Sequence, residues 1–183
     1  MNSDLIYEIY KDKRTVFTLQ EIAILVNEPD FSRIKQRINY FVKKGRLNNP
    51  RRGIYTKDRY SPGELACRIY RPSYISLEYV LNKSGIVFQY SDRISVVSYL
   101  SRSIVVDKNS IDYRKIRNDI LINTSGIVIQ DDGISIATPE RAFLDLVYLN
   151  KGVYIDSGHL LNKDIIYDLL KIYDSVRMNN YIR

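Results

Sequence analysis

The stretch from Asp30 to Gly45 constrains the fold of this chain more than any other. Phe31, Ile34, Ile38, Phe41 and Val42 follow one another at spacings of three, four, three and one, the stripe of an amphipathic helix. Asp30 stands where an N-cap carboxylate accepts otherwise unpaired amides, and Gly45 where a helix closes in the left-handed region. The spacing therefore predicts a helix over 31–44. Its opposite face carries Ser32, Arg33, Gln36, Asn39, Tyr40 and Lys43, and no acid occurs between Ser32 and Lys44. A merely solvated helix alternates Glu with Lys, so a face without acids suits a polyanion better than water.

The flanking sequence places this helix in a larger pattern. Leu5, Ile6 and Ile9 predict a first helix over 3–13, and Thr18-Leu19-Gln20-Glu21 is a capping box that opens a short second helix over 21–26. Asn27-Glu28-Pro29-Asp30 breaks the pattern as a turn. After Gly45, residues 46–48 and 53–56 read as strands around a turn at Asn49-Pro50-Arg51-Arg52. Helix, helix, turn, basic helix and hairpin is the order of a winged helix-turn-helix. Charge agrees: ten basic residues against Asp58 alone lie between Phe31 and Arg59, and residues 1–60 hold 13 Lys/Arg and 7 Asp/Glu where residues 61–183 hold 15 and 14. Ser32, Arg33, Gln36 and Asn39 are the expected base readers, because Arg pairs with guanine and Gln or Asn with adenine in a major groove. Arg37, Tyr40, Lys43, Lys44, Arg46, Arg51 and Arg52 are the expected phosphate contacts, the last two at the wing tip.

Ser61-Pro62-Gly63-Glu64 is a further helix start, and with the drop in charge it places a domain boundary there, giving 1–60 and 61–183. Helices are expected to Tyr70, over 76–83, from Thr138 to Leu149 and over 164–173 or beyond. Strands are expected at 86–88, 94–98, 103–106, 120–122, 127–129 and 134–136, with a hairpin turn at Gln130-Asp131-Asp132-Gly133. In the helix after Thr138, Ala142, Phe143, Leu146 and Leu149 are the inward positions. The fold class is α+β, with a mixed second domain built on a largely antiparallel sheet.

No constellation for catalysis is visible. The 183 residues contain no Asp-Xaa-Asp and no acid-Xaa-Lys tripeptide, and Asp131-Asp132 reads as turn chemistry. One His (His159) and one Cys (Cys67) fall short of the His and Cys set that zinc takes, and Cys67 reads as a small core residue. The expectation is a protein that is not an enzyme and uses no metal or cofactor. A single cysteine fits a reducing compartment, and the longest apolar run, Ile22–Val26, is far too short to span a bilayer. A cytoplasmic protein without a membrane partner is expected.

Three motifs then carry a resemblance: Arg52-Gly53-Ile54-Tyr55; Pro72-Ser73-Tyr74-Ile75-Ser76-Leu77-Glu78; and Ala137-Thr138-Pro139-Glu140-Arg141-Ala142-Phe143-Leu144-Asp145-Leu146-Val147-Tyr148. In this order they resemble the AbiEi-type antitoxins, in which an antitoxin domain follows a winged helix. The resemblance implies a type IV toxin–antitoxin system of abortive phage infection. Its antitoxin represses its own operon at inverted repeats, where a homodimer fits, and counters a nucleotidyltransferase-like toxin. The residues themselves leave two alternatives, a winged-helix regulator with a ligand-sensing second domain and a nucleic-acid-processing enzyme.

Overall fold

A computed structural model describes residues 5–89, 91–150 and 153–182. The chain forms two compact units: the first runs to Ile69 and takes in Asp131–Gly133, the second holds Tyr70–Gln130 and resumes at Ile134.

The first unit contains α1 (Leu5–Lys11), β1 (Val16–Thr18), α2 (Leu19–Leu25), α3 (Phe31–Lys43), a hairpin of β2 (Asn48–Arg51) and β3 (Ile54–Thr56), and α4 (Pro62–Ile69). The capping box at α2 is complete: Thr18 Oγ1 accepts from the Glu21 N–H at 3.2 Å, and Glu21 Oε2 accepts from the Thr18 N–H at 2.9 Å. Asp30 accepts from the Ser32 and Arg33 amides at 2.9 and 3.2 Å, and Gly45 takes a φ of 66°. Leu5, Ile9, Phe17, Ile22, Ile34, Ile38, Leu47 and Tyr55 form one buried core, so α3 is held by Ile34 and Ile38 with Phe41 and Val42 packed beside them, whereas Phe31, at the N-terminal end of the stripe read from the spacing, is exposed.

Three features of this unit depart from the sequence reading. A strand, β1, follows α1 and pairs antiparallel with β3, Phe17 opposite Tyr55, in a sheet ordered β1-β3-β2. The hairpin turns at Arg52-Gly53, with Gly53 at a φ of 80°, while Asn49, Pro50 and Arg51 lie within β2. A register irregularity between Asn48 and Arg51 accommodates the proline, and Asn49 Nδ2 ties the turn by donating to the Arg51 and Ile54 carbonyls at 2.9 and 2.7 Å. The third departure is α4. Charge and the helix-start signal placed the boundary before Ser61, yet α4 packs on β1 within the first unit. Glu64 Oε2 accepts from the Thr15 N–H at 2.7 Å and from the Thr15 hydroxyl, and Arg68 Nε lies 3.3 Å from Glu21 Oε2. The fall in charge and the end of the packed unit differ by nine residues.

The second unit contains β4 (Ser73–Ile75), α5 (Leu77–Lys83), β5 (Ile94–Ser98), β6 (Arg102–Val106), β7 (Asn109–Lys115), α6 (Asn118–Ile122), β8 (Ile127–Ile129), β9 (Ser135–Ala137), α7 (Pro139–Leu149), a 3-10 turn (Gly158–Leu160), α8 (Lys163–Leu170) and α9 (Val176–Ile182). The α+β class stands. Its sheet runs β6-β7-β5-β4-β9-β8 and is mixed rather than largely antiparallel, because β5 with β7 and β4 with β9 pair in parallel. Helix α5 packs on β5 and α7, and α7 on α8 and β9.

Two expected strands are absent. Residues 86–88 close α5 instead: Gly85 takes a φ of 70°, and the Ile86 amide donates to Leu81 O at 2.9 Å, so the apolar run after the glycine is a helix stop. Residues 120–122 belong to α6, whose Ile120 carbonyl accepts from Arg141. In α7 the buried apolar positions are Ala142, Leu144, Leu146 and Val147, while Phe143 and Leu149 are half-buried. Cys67 is buried, as expected of a core residue.

Candidate nucleic-acid interface

Helix α3 is the element on which the expected site stands. Ile34 and Ile38 are fully buried, which turns Ser32, Arg33, Gln36, Asn39, Tyr40 and Lys43 outward, all of them exposed. Thirteen residues of helix are about 20 Å long, enough to lie along a groove roughly 12 Å wide. Lys44 and Arg46 are exposed beyond the helix end, and Lys44 Nζ sits 5.9 Å from the centre of the Tyr40 ring, a cation held over the same face. Arg52 is exposed at the hairpin turn. Arg37 and Arg51 are half-buried. Of the phosphate contacts read from sequence, these two are the ones the fold withdraws from full exposure, because Arg37 follows Gln36 toward the buried edge of α3 and Arg51 lies in a strand instead of a tip.

The fold also sorts the basic cluster into cations that face water and cations tied inside. Lys57 Nζ donates to Asp12 O at 2.6 Å and to Tyr10 O at 3.4 Å, and its burial lowers its pKa. Arg14 pairs with Asp12 at 2.6 Å, and this hydrogen bond holds the Asp12 carboxyl below the usual range. Tyr10 reaches from α1 to donate to Arg46 O at 2.8 Å, which anchors the segment between α3 and the hairpin. One acid does reach this exposed face. Glu28, in the turn before α3, accepts from Arg33 Nη1 at 3.2 Å. Glu28 precedes the helix and so lies outside the periodicity of α3; its separation from Arg33 by five residues across a capped turn is the signal that finds it.

The motifs that carry the resemblance land elsewhere. Gly53, Ile54 and Tyr55 make the hairpin turn and its buried strand. The other two motifs meet in the core of the second unit around Arg141 and Asp145, both fully buried and 3.3 Å apart. Asp145 accepts from Tyr74 at 3.0 Å, Ser76 at 2.8 Å and Tyr173 at 2.6 Å; Arg141 donates to the carbonyls of Ile120 and Ser125, each at 2.8 Å. The Tyr74 and Tyr173 rings lie 5.4 and 5.5 Å from the guanidinium. Burial pushes both phenols up, so they stay protonated and donate. With every partner satisfied, the pair joins β4, α6 and α7 instead of facing a ligand.

Among the described residues no group of three or more His, Cys, Asp or Glu is arranged to hold a metal ion, and no helix is long and apolar enough to cross a membrane. No family model matches the sequence, and no curated protein matches it. A solved structure, that of the RV2827C protein from Mycobacterium tuberculosis, is similar to this chain with a TM-score of 0.51 at 12% identity, over 91% of this chain and 70% of that one. At that identity the likeness is one of fold alone.

Proposed function

We propose that the first unit is a winged helix-turn-helix that binds double-stranded DNA, with α3 in the major groove and the β2–β3 hairpin as its wing, and that the chain is a transcriptional repressor. The observation that supports this best is the outer face of α3, where Ser32, Arg33, Gln36, Asn39, Tyr40 and Lys43 are exposed without an acid of the helix among them. Ser32, Arg33, Gln36 and Asn39 read base edges; Tyr40, Lys43, Lys44, Arg46 and Arg52 hold phosphates, with Arg37 and Arg51 in lesser roles. The motif resemblance extends the proposal to an autorepressor and antitoxin. It acts in the cytoplasm as a homodimer on inverted repeats of its own promoter, carries out no catalysis, and counters a nucleotidyltransferase-like toxin.

The test is a titration of the DNA upstream of its own gene against random duplex, over a range of salt. Gln36→Ala or Asn39→Ala is expected to cost about 1–3 kcal/mol on the upstream site and little on random DNA. Arg52→Ala is expected to weaken both and to lower the salt slope by about one. Equal affinity for the two duplexes would refute sequence-specific repression. Growth rescue on co-expression with the neighbouring gene tests the antitoxin role.

A further inference from the structure

We propose that Glu28 is a positioning residue that presents Arg33 to a guanine, so that one base pair is recognised by the pair of side chains and not by Arg33 alone. This rests on the reading of α3 as a base-reading helix. Glu28 sits in the α2–α3 turn, where Asn27 adopts a φ of 51° and the Glu28 amide donates to Ala23 O at 3.1 Å. Both of its carboxylate oxygens are engaged, Oε1 by the Asp30 N–H and Oε2 by Arg33 Nη1, each at 3.2 Å. The Glu28 side chain is 16% exposed and that of Arg33 65%, so the anchor lies in the turn while the guanidinium projects from it.

The chemistry of this arrangement favours guanine. Its O6 and N7 accept two N–H groups lying in one guanidinium plane, and the single bond to Glu28 leaves that requirement open among the five donors of an arginine. Holding the guanidinium before DNA arrives lessens the rotamer entropy lost on binding, which for a long side chain is substantial. The same carboxylate repels the phosphate backbone and lowers general affinity for DNA. A device that steadies the specific donor while weakening indiscriminate binding raises the ratio between the two. Glu28 does not itself read cytosine, because both of its oxygens are turned to protein donors.

The experiment uses the full chain and a duplex recovered from a randomised pool by repeated binding, with all four base pairs then placed in turn at each position. Wild type is expected to prefer guanine at one position. Arg33→Lys keeps the charge and loses the planar fork, so it is expected to abolish that preference. Glu28→Gln is expected to cut the preference about five-fold, within the discrimination that one bidentate contact supplies, and to raise random-duplex affinity about two-fold by removing a negative charge. In the Arg33→Lys background it is expected to leave base preference where it was.

A guanine preference unmoved by Glu28→Gln, or a loss of equal size in both backgrounds, would overturn the proposal while leaving α3 as the reader. A fall in specific and random binding together, with lost helicity by circular dichroism, would assign Glu28 a structural role and also overturn it. Should Glu28→Gln not fold, Glu28→Asp, which keeps the charge and draws the carboxylate back from Arg33, decides in its place: a reduced guanine preference is expected, and an unmoved one overturns the proposal. A wild-type chain that selects no sequence from the pool would overturn the base-reading assignment itself.

Discussion

Two carboxylates show how much a single side chain owes to its surroundings. Glu64 is 1% exposed, and its Oε1 has no hydrogen-bond partner, so burial raises its pKa above the ordinary 4.5. The unfolded chain gives up this proton first as pH rises. The Glu64 contribution to stability is thus fully present below the ordinary pKa and is lost as pH rises through the raised one. Glu64→Gln is expected to remove this dependence, so that the stability of the variant relative to wild type improves between acid and neutral pH in denaturant titrations. Asp145 has the opposite circumstance, a full set of partners around a buried ion pair. Arg141→Met strands that carboxylate and is expected to cost about 3–5 kcal/mol, while Arg141→Met with Asp145→Leu recovers part of the loss. The sequence showed Arg141 and Asp145 four apart on a helix. It did not show that Tyr74, Ser76 and Tyr173 converge on them, because their separations of 71, 69 and 28 residues are closed only by the sheet and the α7–α8 packing.

At the scale of elements, local chemistry was legible wherever it is self-contained. The Thr18 capping box, the Asp30 cap, the Gly45 and Gly85 stops and the Thr138 cap each act within a few residues, and each is present. Asp30→Ala is expected to destabilise the first unit by about 1 kcal/mol through the lost cap of α3, with a parallel loss of DNA affinity. Gly126→Ala is expected to be worse tolerated, since a Cβ there lies 2.9 Å from Arg141 Cβ at a φ of 73°; a lowered melting temperature checks it. Short elements were less legible. Strand β7 is not among the expected strands, although buried Ile111 and Tyr113 alternate with Ser110, Asp112 and Arg114, the period of a strand. Residues 120–122 are too short to separate helix from strand by pattern, and the carbonyl acceptor that α6 offers to Arg141 lies outside any local window.

For the whole chain, the unit boundary after Ile69 has a direct experimental consequence. A fragment beginning at Ser61 carries α4 with Leu65, Ala66 and Cys67, which are buried within the first unit. A fragment beginning at Tyr70 leaves them behind. The second fragment is expected to be the more soluble and to unfold in one cooperative transition by circular dichroism, whereas the first exposes an apolar helix face. Aggregation of both alike would show that the second unit needs the first to fold.

What the sequence determined alone was the set of contacts made along the chain: the caps, the glycine stops, the stripe of α3 and hence which of its residues face outward. Hydrophobic period and capping depend on neighbours within about one helical turn, so they are written in order. The tertiary structure alone decided which basic residues remain available, which strands pair in parallel, and to which unit α4 belongs. Those outcomes follow from burial and pairing between segments tens of residues apart, where Glu64 meets Thr15 and Lys57 meets Asp12, and no local pattern encodes which distant partner removes a charge from the surface.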